Sequence, residues 1–96
     1  MLFHRDHLSG DEYSWNSHNG RQEFAGEPSR RLFDRFNGDQ LLFIINFYGS
    51  LAVGFSVEEG RRIERMINDR MPFDIKSEIS VFNWIKKEML SSPASI

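Results

Sequence analysis

From Leu41 to Val53 the chain carries Leu41, Leu42, Phe43, Ile44, Ile45, Phe47, Tyr48, Leu51, Ala52 and Val53, broken only by Asn46, Gly49 and Ser50. A helix with apolar residues around most of its circumference has to be covered on most sides. The longest apolar stretch, Leu41 to Phe47 with Asn46 inside it, is far short of the roughly 20 residues a bilayer crossing needs. The cover is expected from the rest of the 96 residues or from a second copy, and no membrane association is expected. Asp39 can cap such a helix after a stop at Gly38, which predicts helix over 39–53. Because periodicity cannot decide a continuous apolar run, a β-hairpin within 41–55, turning at Tyr48-Gly49-Ser50, is the alternative and would make the fold α+β.

The flanking sequence reads as further helices. Ser29 follows Pro28, and Leu32, Phe33 and Phe36 stand at helical spacing before Gly38, predicting helix over 29–37. Ser56-Val57-Glu58-Glu59 is a capping box opening a helix over 56–70, with Ile63, Met66 and Ile67 as its inward stripe. Pro72 disfavours helical geometry at the residue before it and marks the end. Ser77 can cap a last helix over 77–90, where Ile79, Phe82, Ile85, Met89 and Leu90 share a face. The expected fold is mainly α, a small four-helix bundle. Its expected core includes Leu32, Phe36, Leu42, Ile45, Leu51, Ile63, Ile67, Phe82, Ile85 and Met89.

The first third is polar and dotted with aromatics. Asn19-Gly20 suits a type I′ turn, and pairing about it sets Trp15 opposite Phe24, with Tyr13 on the same face. Residues 1–28 are thus expected as a β-hairpin or irregular ribbon, 29–90 as helical core and 91–96 as a frayed tail, all in a single domain 1–96. The length suits one core and not two. With no cysteine and no apolar leader after Met1, a cytoplasmic location is expected.

No chemistry-bearing motif emerges. The seven glycines form neither a P-loop nor a dinucleotide fingerprint, and there is no Gly-x-Ser-x-Gly elbow. His4, His7 and His18 lie near Asp6, Asp11 and Glu12, which raises a metal-dependent hydrolase as a distant third reading. They lack the spacing of familiar ligand pairs. No catalytic residues, metal or cofactor are therefore expected, and the chain is read as a non-enzyme.

Binding remains. Nine of the twelve basic residues are arginine against fourteen acids, for a net charge of −2. Arginine is suited to bidentate contacts at interfaces. Arg61, Arg62 and Arg65 share the outer side of the 56–70 helix, Trp84 falls opposite the apolar face of the last helix with Val81 at its edge, and Trp15 stands in the ribbon. These six are the expected protein-binding residues, since Trp, Tyr and Arg dominate interface hot spots. The expected function is a non-enzymatic module acting through protein–protein contacts, of the kind common among accessory or inhibitor proteins of phages and mobile elements targeting a host macromolecule. Self-association as a homodimer is open, because 41–53 is apolar enough to serve an interface.

The segment Lys76 to Lys87, with Val81-x-x-Trp84-Ile85-Lys86 after a serine-bearing start, resembles the recognition helix of small helix-turn-helix domains of the excisionase and MerR type. In that family the preceding helix arrives after a tight turn, whereas Asn68 to Ile75 intervene here. The resemblance covers about a dozen residues. It implies an alternative function as a small DNA-binding regulator, with Lys76, Ser77, Ser80, Asn83 and Lys87 facing nucleic acid.

Overall fold

The computed structural model describes residues 3–10, 13–15 and 26–91. The chain is mainly helical. Among the described residues a 3-10 turn, Arg5–His7, precedes three α-helices: α1 (Gly38–Leu51), α2 (Val57–Asp69) and α3 (Glu78–Ser91). No helix among the described residues is long and apolar enough to cross a membrane.

The apolar run folds as helix, and the hairpin alternative for 41–55 falls. Its cap is Asn37 rather than Asp39: the Asn37 side chain accepts the Gln40 N–H at 3.2 Å. Leu41, Ile44 and Ile45 are fully buried against Ile63 and Ile67 of α2 and Val81 and Ile85 of α3. Burying each such side chain is worth roughly 1.5–3 kcal/mol. Phe47 meets Phe82 edge to face at 5.1 Å between ring centroids, tying α1 to α3. At the start of α2, the Ser56 hydroxyl accepts the Glu59 N–H at 3.2 Å, as its capping sequence predicts.

The predicted helix over 29–37 does not form. Its backbone groups are claimed by distant partners. Phe33 N–H donates to the Lys76 carbonyl at 2.7 Å, and the carbonyls of Arg31 and Ser29 accept the N–H groups of Glu78 and Ile79, both at 2.9 Å. The Gln40 amide takes the Leu32 carbonyl and the Asp34 N–H, each at 2.8 Å. A helix would need those groups for its own i to i−4 bonds. Instead the segment satisfies two orphan donors in the first turn of α3, while the Ser77 hydroxyl accepts a third from Ser80. The bundle therefore has three helices. Leu32 and Phe36, expected in the core, are 73% and 57% exposed, and Leu51 also faces out.

α3 is rotated from the expected face. Glu78, Val81, Phe82 and Ile85 are buried, whereas Ile79 and Leu90 are exposed. The ribbon turn at Asn19-Gly20 and its partner Phe24 lie outside the described residues. Residues 3–10 and 13–15 run as an irregular strap over α1 and α2.

Three sets of hydrogen bonds and one ring seat hold the strap. Asn46 brackets Phe3, accepting its N–H at 2.7 Å and donating to its carbonyl at 2.8 Å. The Phe3 ring fills a slot at Gly60, where an added Cβ would stand 2.3 Å from a ring carbon. Buried Glu64 accepts the N–H groups of Ser9 and Gly10 at 2.8 and 3.0 Å and the Tyr13 hydroxyl at 2.5 Å. Ser14 N–H donates to the Phe36 carbonyl and Gly38 N–H to the Ser14 carbonyl, both at 2.8 Å.

Candidate functional site

The strap, the 29–37 segment and the end of α2 converge on a cleft of about 340 Å³. Gly10 and Tyr13 come from the strap, Arg35 and Phe36 from the middle segment, and Asn68, Asp69 and Phe73 from the end of α2 and the turn after it. Each wall is fixed by a bond already described or by one at the site itself.

Arg35 closes the α2 end. Its terminal nitrogens donate to the carbonyls of Ile67 at 2.7 Å, in the last turn of α2 where carbonyls lack helical partners, and of Met71 at 3.2 Å, just beyond the helix. The guanidinium also lies over the Phe73 ring, 4.7 Å from its centroid. Such stacking orients an exposed ring that would otherwise sample several rotamers. Phe73 is 83% exposed. Phe36 is set by its own backbone: its N–H donates to the Asp34 carboxylate at 2.9 Å, and its carbonyl holds Ser14. On the opposite wall, Asn68 donates to the Tyr13 hydroxyl at 2.8 Å, extending the chain that ends on Glu64.

The cleft thus presents two exposed phenyl rings, a tyrosine edge, one guanidinium and one carboxylate on a pinned backbone. It can take apolar groups and hydrogen-bond a polar one. Among the described residues, no group of three His, Asp or Glu is placed to hold a metal ion. His4 and His7 bond each other instead, the His4 N–H donating to His7 Nδ1 at 2.9 Å. His18 lies outside the described residues.

The expected protein-binding residues are scattered. Val81 is fully buried among the core residues, on the inward side of the rotated helix. Trp84 is half-buried and packs on the same core. Arg61 Nε donates to the His7 carbonyl at 2.7 Å, serving the strap. Arg62 lies within electrostatic reach of Tyr48, whose hydroxyl is pushed above its ordinary pKa by burial and by Glu59, with Arg62 opposing. Arg65 is exposed. Trp15 is covered by the Arg5 guanidinium at 4.2 Å and packs at Gly38.

Of the nucleic-acid set, Ser77 is engaged as the helix cap. Lys76, Ser80, Asn83 and Lys87 are exposed along one side of the last helix and its approach. The cleft residues Arg35, Phe36, Asn68, Asp69 and Phe73 were not singled out as a site by sequence. A proline-flanked exposed Phe73 was the available signal, and it reads equally as turn composition. No protein-family model, curated protein or solved structure matches this chain.

Proposed function

We propose that the chain is a non-enzymatic binding module that recognises a protein partner through the cleft between Phe36 and Phe73. The observation that carries this reading is the pair of exposed phenylalanines, Phe36 with its carbonyl held by the Ser14 N–H and Phe73 with the Arg35 guanidinium stacked on its ring. Large apolar side chains held out in solvent add nothing to this chain's own core, and aromatic rings beside arginine are the composition of interface hot spots. Pre-set positions reduce the ordering cost of association.

The test is capture of partners from cells with the tagged chain, in the presence of nuclease, followed by mass spectrometry. A defined protein should be recovered and lost when Phe36→Ala and Phe73→Ala are combined. Recovery that is undiminished in the double variant, or that disappears with nuclease, would overturn the reading.

A further inference from the structure

We infer that Asn37 is a site of spontaneous deamidation and that the strap sets its rate. Asparagine is a thermolabile residue. A following glycine exposes it most, because a residue without a Cβ leaves its nitrogen unhindered and its backbone free to turn. The chain carries this pair at Asn37-Gly38, and again at Asn19-Gly20 outside the described residues. At the first site both members serve the fold. The Asn37 side chain caps α1, and Gly38 has no room for a Cβ beneath the Trp15 ring.

The chemistry needs only solvent. The Gly38 nitrogen gives up its proton and attacks Asn37 Cγ. The bond from Cγ to the side-chain nitrogen breaks, ammonia leaves with a proton in exchange for the one lost, and a succinimide ring closes. Water then opens the ring at Cγ to give aspartate, or at the backbone carbonyl to give isoaspartate. Nothing is oxidised.

The folded chain holds this attack off. Asn37 is extended at φ −86° and ψ 106°, its Oδ1 accepts the Gln40 N–H at 3.2 Å, and its carbonyl accepts the Leu41 N–H at 3.0 Å. The Gly38 N–H is committed to the Ser14 carbonyl at 2.8 Å, with the Trp15 ring laid against it. The nucleophile is released when the strap lifts from the start of α1, a local opening that leaves the rest of the helix in place.

The two products act differently on the strap. Aspartate keeps the backbone and caps a helix as well as asparagine does. Isoaspartate routes the chain through the side chain, inserting an extra carbon between Phe36 and Gly38. Ser14 bonds the Phe36 carbonyl and the Gly38 N–H together, each at 2.8 Å, and that pair of bonds fits only the ordinary spacing. Isoaspartate therefore frees the end of the strap and, with it, the Phe36 wall of the cleft.

The test ages the full-length chain at neutral pH in a series of urea concentrations below its unfolding transition. Peptide mass mapping follows amide-to-acid conversion at Asn37, and hydrogen exchange is followed at Gly38 and at Ile45, fully buried further along α1. Conversion should be at least about tenfold slower in the folded chain than in the fully denatured one. It should rise with urea in step with exchange at Gly38 and ahead of exchange at Ile45. Glu64→Ala, which cuts strap bonds away from the reacting pair, should speed conversion about threefold or more; the urea series decides the matter if that variant does not fold. The purified isoaspartyl form should lose protection at the Ser14 amide, whereas Asn37→Asp keeps it. Conversion as fast in the folded chain as in the denatured one, conversion that follows Ile45, or none where Gly38 exchanges freely would overturn the inference. Equal Ser14 protection in the isoaspartyl and parent chains would overturn the release of the strap.

Discussion

The Trp15 ring lies against the α-carbon of Gly38 so closely that a methyl group there would stand 2.5 Å from two ring atoms and 2.6 Å from a third. The first residue of α1 is therefore a seat for the strap. The Ser14–Phe36 and Gly38–Ser14 backbone bonds fix the ring's approach. Replacing Gly38 with alanine should expel the ring and cost about 1–3 kcal/mol, as overpacked sites do. In a Trp84→Phe background, Trp15 fluorescence should shift to the red. An unchanged spectrum and midpoint would mean that the ring is not seated there in solution.

Glu64 gathers three donors from the strap, and its removal takes away the acceptor that all three share. Glu64→Ala should destabilise the chain by roughly 2–4 kcal/mol, since hydrogen bonds to charged groups are among the stronger ones. Hydrogen exchange localises the effect: the Ser9 and Gly10 amides should lose protection before those of α1. Equal protection in both proteins would show the carboxylate to be incidental.

Glu78 predicts a pH dependence. Burial alone would raise its carboxyl, but bonds from Arg31, Gln40 and Ser29, with the Arg31 charge, hold it below the ordinary value of 4.5. A group depressed on folding stabilises fully above its unfolded pKa and loses that contribution as pH falls through the folded one. Glu78→Gln should accordingly be less stable than the parent at neutral pH. Urea denaturation should show the gap narrowing as pH drops below 4.5. A gap that stays constant down to the acid limb would remove the carboxylate's charge from the account.

Arg35→Lys keeps the charge but loses the planar fork that reaches the Ile67 and Met71 carbonyls together. A loss of about 1–2 kcal/mol in denaturant is expected, the value of one to two net hydrogen bonds. The Phe73 resonances should broaden or move as its stacking partner changes. No change in either would separate the α2 end from this side chain.

What the sequence discloses is the local part of the fold. The Ser56 cap and the stripe Ile63, Met66, Ile67 obey rules confined to neighbouring residues, and α2 forms where they place it. α1 follows as well, with its cap at Asn37 in place of Asp39 because Asn37, Gly38 and Asp39 all suit a helix end. The 29–37 segment was unreadable for the opposite reason. Leu32, Phe33 and Phe36 have helical spacing, but Glu78, Lys76 and Gln40 take the backbone groups that a helix would use. Glu64 looks like one more charge among arginines until Tyr13 and the strap are placed upon it. The cleft inherits that difficulty, since its walls come from three separate stretches of chain.

Those separations also order the events of synthesis. Phe3 needs Asn46, Ser9 needs Glu64, and Ser29 and Arg31 need Glu78, partners 43 to 55 residues further along. An emerging chain proceeds from its N-terminus, so the strap leaves the ribosome well before the residues that hold it exist. Contacts this far apart also close their loops late and slow folding. The strap is thus made before its partners and is among the last parts to find its place, and until then Phe3 and Trp15 are uncovered apolar groups.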